Sequence, residues 1–220
     1  DVDVLMVIHP KALSEGTEYA IDQFIMNGGK VLVMLDPVAL TDNSNPGNNP
    51  MQRAMQAGSN LERLLPAWGL NFDPSQVVAD MKYVATVQSQ RGAPPQQQPS
   101  ILALTREAIN SEDVVTSQID NLTMYFAGAI TGEPVEGLSR DILIHSSDNS
   151  QLVQGFMAQM SGEQLIKDFE SGEKELPLAV RLTGNFKSAF PDGAPGAGSD
   201  DEEADEDSDA ASEGSKHVAE

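Results

Sequence analysis

Three side chains in the first forty residues have the types and placing to contact a ligand. His9 and Lys11 lie where an apolar run, Val2 to Ile8, gives out, and Asp36 closes a second apolar run, Val31 to Leu35. A histidine and a lysine side by side can contact an anion. An aspartate at a strand end can accept a ligand hydrogen bond or a metal. In open α/β sheets the carboxyl ends of the strands are where ligands bind. The plainer alternatives are a loop histidine beside a solvated lysine, and an Asp-Pro pair that organises a turn. A second set is His145, Ser146 and Asp148, in the run HSSDNS. It contains the residue types of a hydrolytic triad. Sequence neighbours seldom converge into one, and no G-x-S-x-G elbow is present, so a capped loop is the alternative.

Other chemistry is excluded or weakened by composition. The chain has no cysteine, which removes disulfides, thiolate metal sites and a cysteine nucleophile. Gly28 and Gly29 end a helix and precede a strand, the reverse of the order in a dinucleotide-binding fingerprint. The acidic run Asp205 to Glu213 resembles a calcium loop in its alternating carboxylates, but Ala210 stands where the loop needs glycine. No metal and no cofactor is expected. The formal charge of −21 leaves no clustered Lys and Arg for phosphate, so nucleic acid is not an expected partner.

The elements that must position these residues follow from pattern. Val2 to Ile8 is rich in β-branched residues and short, as expected of a strand buried on both faces. Ser14 is a helix cap, with Thr17 in the first turn and Glu15 and Glu18 near the positive end of the dipole. Tyr19, Ile21, Phe24 and Ile25 repeat at helical spacing, and Gly28 and Gly29 stop the helix. Strand, helix and strand with short connections predict a right-handed crossover and two parallel strands. The opening at Asp1, one residue from a strand, is expected of a fragment of a longer polypeptide.

Further on, Thr41 to Pro50 is a loop by composition, and a second helix should follow it, ending near Trp68 and Gly69. Gln88 to Ser100, QSQRGAPPQQQPS, reads as a low-complexity excursion from the core. Val77–Val78, Ile101 to Leu104, Leu122 to Ile130, Asp141 to Ile144 and Leu178 to Leu182 are strand candidates, and Ser161 to Glu173 is a helix candidate. Residues 191–220 hold 11 acidic residues, one lysine and almost no bulky apolar side chain, the composition of a flexible acidic tail. The predicted architecture is one α/β domain over residues 1–190, with a mainly parallel sheet, helices on both faces and a β-rich region near Asp113 to Ile144.

Several of these runs resemble one family. S-E-x-x-x-x-A-I-D-Q-F at Ser14 to Phe24 and G-G-K-x-L-V-x-x-D-P at Gly28 to Pro37 are similar to the auxiliary component of gliding-motility-type ABC transporters. So are LLPAWGLNFDPSQVVAD (Leu64 to Asp80), EDVVTSQIDNLTMYFAGAI (Glu112 to Ile130) and LPLAVRLTGNFKSAF (Leu176 to Phe190). The resemblance implies a Rossmann-like or glutamine-amidotransferase-like fold without established catalytic residues. It implies an extracytoplasmic, periplasmic domain of a protein anchored in the inner membrane, accompanying an ABC permease and its ATPase. It also implies that the acidic run is a linker leading to a further strand. The expected function is therefore non-enzymatic binding of a partner or solute. The alternatives are a solute- or glycan-binding domain acting through His9, Lys11 and Asp36, and a hydrolase.

Overall fold

In the computed structural model, residues 2–41, 58–88, 94–160 and 162–196 are described. The run opens as the sequence predicts. β1 (Val4–Ile8), α1 (Glu15–Met26) and β2 (Lys30–Met34) form a crossover, and the two strands pair in parallel from Val4↔Lys30 to Ile8↔Met34. Ser14 caps α1: its Oγ accepts the Thr17 amide at 3.2 Å, satisfying one of the orphan donors of the first turn. At the other end the Gly28 and Gly29 amides donate back to Ile25 and Phe24, and Gly28 takes a φ of +85°.

Beyond this unit the parallel architecture does not continue. The short helix α2 (Leu64–Ala67) leads into β3 (Leu70–Phe72), β4 (Gln76–Asp80), β5 (Val84–Val87) and β6 (Gln96–Thr105). Then come β7 (Asn121–Tyr125), β8 (Ile130–Gly132), β9 (Leu138–His145) and β10 (Ser150–Gln154). Helices α3 (Gly155–Met160) and α4 (Gly162–Lys167) precede the last strand, β11 (Pro177–Gly184). All of the later strands pair antiparallel, in small sheets: β10 with β4, β11 with β9, β3 with β8, and β5–β6–β7. The chain is thus a strand-rich, largely antiparallel fold. The expected mainly parallel Rossmann-like sheet with helices on both faces is wrong. The βαβ unit that suggested it is confined to β1 and β2.

Two further expectations are corrected. Gln96 to Ser100 is not a low-complexity excursion but the first half of the ten-residue β6, with Pro99 and Ser100 fully buried. The Gln98 amide donates to the carbonyl of Ala158 at 2.6 Å and to Ser100 Oγ at 2.9 Å, so half-buried Gln98 and buried Ser100 are satisfied while Gln96 and Gln97 stay exposed. β1 is not buried on both faces: Leu5 and Val7 point into the core, while Val4, Met6 and Ile8 are more than half exposed. The loop expected at Thr41 to Pro50, the first part of the second helix, and nearly all of the acidic tail, including Asp205 to Glu213, lie outside the described residues.

Two main cores result. One joins β4, β6, β9 and the start of β11 through Val78, Leu102, Leu104, Leu143, Ile144 and Leu178. The other packs the inner face of β1 and β2 with Ile21, Leu61, Leu64, Trp68 and Leu138. Buried carboxylates link the elements. Asp22 accepts from Ser188 Oγ at 2.7 Å and from the Ala189 amide at 2.8 Å, tying the segment after β11 to α1. Glu18 accepts the Arg63 amide at 3.1 Å. Asp80 is fully buried and accepts the amides of Lys82, Tyr83 and Ser147 and the Ser147 hydroxyl, at 2.6–3.0 Å. Replacing Asp80 with Ala strands these donors in the core. A loss of about 3 kcal/mol or more in urea unfolding is expected, with Asp80→Asn losing less.

Candidate functional site

The carboxyl edge of the parallel pair brings two of the three predicted residues together, through a third that sequence reasoning did not single out. β1 extends by one bond, the His9 amide donating to Met34 at 2.9 Å. His9 then turns with a φ of +48°. Its Nδ1 lies 2.5 Å from Ser59 Oγ. That hydroxyl also accepts the Asp36 amide at 2.9 Å, while the Ser59 amide donates to the Asp36 carbonyl at 2.8 Å. The same hydroxyl stands 3.3 Å from the Asp36 carbonyl, so the His9 ring, Ser59 and the Asp36 backbone form one cluster.

The Asp36 carboxylate is used locally: Oδ1 accepts the Val38 amide at 2.9 Å and the Ala39 amide at 2.8 Å, an Asx turn that starts the next loop. Lys11 follows buried Pro10 in the same connection and is half-buried. The Asn60 amide donates to the Pro10 carbonyl at 2.9 Å, so residues 59 and 60 pin both strand-end loops. Ala12 and Ala39 also sit at positive φ, +45° and +41°, conformations that cost a residue with a Cβ. These loops are thus held by tertiary bonds against their local preference. No signal in the sequence marks Ser59, because its partners lie 23 and 50 residues away.

His145 and Ser146 do not form a catalytic pair. His145 Nδ1 faces the carbonyl of Ser146 at 2.7 Å, not its hydroxyl. Ser146 Oγ is fully buried, 2.8 Å from both Ser150 Oγ and the Leu176 amide. Asp148 contributes its carbonyl to Ser171 Oγ, at 3.0 Å. His145 instead borders a cleft of about 280 Å³ with Ile109, Asn110, Ile142, Glu175 and Pro177. Glu175 Oε2 stands 3.5 Å from Nδ1. The lining supplies an imidazole, a carboxylate and an amide between apolar walls, a set that can hold a donor or a small cation. It contains no hydroxyl or amine nucleophile.

Among the described residues, no group of three or more His, Asp or Glu side chains is placed to hold a metal ion. The resolved perturbations of charge lie in ion pairs whose members line neither place. The Lys82 ammonium, 2.9 Å from Glu107, holds that carboxyl below its usual range, and its own pKa is raised in return. Arg181 is raised by its hydrogen bond to Asp141, with Asp113 on its other side.

The most extensive unsatisfied feature is the outer face of the parallel pair. Val4, Met6 and Ile8 from β1 and Leu32 and Met34 from β2 form one apolar surface, each side chain 45–62% exposed. Lys30, opposite Val4 in the register, is the charge on these two strands' outer face. Parallel strands are almost always covered on both sides, and here α1 covers one.

The chain belongs to the family described as ABC-type uncharacterized transport system, whose model matches residues 1–217, and it is thereby an auxiliary component of such a system. No curated protein matches the chain. Among the described residues, no helix is long and apolar enough to cross a membrane.

The Ser59 clamp is testable. Ser59→Ala removes the hydroxyl that joins His9 to the Asp36 amide, and a loss of about 1–2 kcal/mol in chemical unfolding is expected. The His9 ring nitrogen shifts in NMR should move together with the Asp36 amide. Unchanged His9 nitrogen shifts would show that the hydroxyl does not contact the ring.

Proposed function

We propose that this chain is a non-enzymatic, extracytoplasmic auxiliary domain of an ABC-type export system related to gliding-motility transporters, and that it works by binding another protein of that system. Family membership supplies the transport context. The observation that carries the binding role is the bare face of Val4, Met6, Ile8, Leu32 and Met34. Contiguous exposed apolar patches are uncommon on proteins that act alone and mark contact surfaces. The extracytoplasmic placement and the permease and ATPase partners rest on the sequence resemblance of Ser14 to Pro37 and the later matching runs.

A second reading is favoured by the cleft beside His145, where a small solute or glycan could be held by Asn110, His145 and Glu175. It differs from the expected solute site at His9, Lys11 and Asp36, whose Asp36 carboxylate is already committed to its own turn.

The test is co-isolation. The full-length protein, extracted in mild detergent, should bring down an ABC permease and its ATPase, and a topology reporter fused to this domain should report the periplasmic side. Isolation without any transporter subunit counts against the reading. Thermal stabilisation by a glycan or metabolite, lost in Glu175→Gln, would favour solute binding. At a hundredfold excess over Kd that stabilisation is about 2.7 kcal/mol.

A further inference from the structure

The cleft beside His145 differs from the His9 edge in what its polar groups still have to offer. His145 Nδ1 lies 2.7 Å from the carbonyl of Ser146. A carbonyl has no proton to give, so in that bond the proton is on Nδ1. In the neutral ring Nε2 is then a lone-pair acceptor, with no hydrogen-bond partner among the described residues. Glu175 Oε2 stands 3.5 Å from Nδ1, and its side chain is 60% exposed. No lysine or arginine among the described residues pairs with that carboxylate. Asn110 is largely used already: its Oδ1 accepts the Glu112 amide at 3.0 Å, and its Nδ2 donates to the Ile142 carbonyl at 3.4 Å. The lining side chains thus offer a carboxylate and an imidazole lone pair as acceptors, against one spare amide hydrogen as donor.

The rest of the lining decides what should carry the donors. Ile109, Ile142 and Pro177 complete it, and none of them has a polar side-chain atom. A metal ion takes three or more protein ligands, and no group of three His, Asp or Glu side chains is so placed among the described residues. An anion would meet the like charge of Glu175 with no cation in the lining to receive it. A hydroxyl brings one donor, whereas an ammonium on an alkyl stem brings three. The stem leaves water against the apolar walls. The volume of about 280 Å³ is just below the ~300–1,000 Å³ of common ligand clefts, so the ligand is small.

We propose that the cleft beside His145 binds a primary alkylammonium group. Its N–H groups donate to Glu175 and to Nε2 of His145, and its stem packs on Ile109, Ile142 and Pro177. Such a ligand rests on the second reading, that this cleft holds a solute, and names the chemistry of that solute. The group can arrive on a free amine or as the end of a lysine side chain.

The 220-residue chain, isotope-labelled at its isoleucine methyl groups, is titrated in NMR at constant salt with pentylamine, pentanol and pentanoate. The three probes share a stem and differ in the charge of the head group. Pentylamine should move the Ile109 and Ile142 methyl signals saturably and leave Ile21, in the other core, unmoved. It should bind at least tenfold tighter than pentanol, and pentanoate should not bind. Glu175→Gln should weaken pentylamine at least fivefold. Glu170→Gln, which changes an exposed carboxylate outside the cleft, should leave it unchanged. Both glutamates are exposed, so the circular-dichroism melts should match the parent's. Nα-acetyl-lysine methylamide separates the sources: binding tighter than pentylamine assigns the site to a lysine side chain, weaker binding to a free amine. Pentanol or pentanoate binding as tightly as pentylamine overturns the ammonium and leaves a solute cleft standing. Equal losses in Glu170→Gln and Glu175→Gln also overturn it, because the amine is then attracted by the acidic chain as a whole. No response at Ile109 and Ile142 to any probe removes the solute reading together with the ligand class.

Discussion

The antiparallel pair of β9 and β11 is the constraint from which the rest of the architecture hangs. It runs from His145↔Pro177 to Leu138↔Gly184, with irregular register between Pro177 and Val180 and an unbroken ladder from Val180 to Gly184. One end lies in each main core: Leu143, Ile144 and Leu178 pack with β4 and β6, while Leu138, Val180 and Leu182 pack with the βαβ unit. Arg181 on the same pair binds Asp113 at 2.7 Å and Asp141 at 3.0 Å, fixing the loop before β7. The chain leaving β11 then reaches α1, where Phe190 meets Tyr19 edge-on at 5.4 Å and Asp22 receives Ser188 and Ala189. The parallel pair is thus held to the antiparallel part from the C-terminal side of the chain as well as through α2.

An acidic chain could be expected to keep all its carboxylates in water. Among the described residues, this one buries four of them, and three, Glu18, Asp22 and Asp80, are each at most 3% exposed. Each accepts from at least one backbone amide, and none is placed like a catalytic acid or base beside an open cleft. Their work is to satisfy backbone donors where chain segments turn or end, which water cannot do once the core closes. Because the satisfied donors lie up to 167 residues away in sequence, these carboxylates act as long-range fasteners.

Local signals in the sequence were reliable where the structure is local. Ser14, Gly28 and the apolar runs on either side defined β1, α1 and β2, because capping and crossover geometry are settled within a few residues. The fold class was misread because that one unit was extended to the whole chain. Whether later strands run parallel depends on pairings such as Gln76↔Gln154 and Ser139↔Thr183, which no local pattern encodes. β6 was hidden for a related reason: Gln96 and Gln97 are indeed exposed, burial begins only at Pro99, and half-buried Gln98 is held by the carbonyl of Ala158, 60 residues on. At the candidate site, Asp36 was legible as a turn residue, whereas the tie between His9 and Asp36 depends on Ser59 and so on tertiary structure.

The exposed face of β1 and β2 carries a different lesson. A continuous apolar run such as VLMVI lacks the polar alternation of a strand with one wet side, so its composition asks for cover on both faces. The structure gives it cover on one. Five side chains about half exposed leave on the order of 400–500 Å² of apolar surface in water, worth roughly 10 kcal/mol if fully buried. Association itself costs about 4–15 kcal/mol in lost freedom. Whatever covers the face buries apolar area of its own as well, so cover of this patch can offset that cost. The one charge at the outward positions of the two strands is Lys30, so the local polarity of the patch is that of a cation and not that of the acidic chain as a whole.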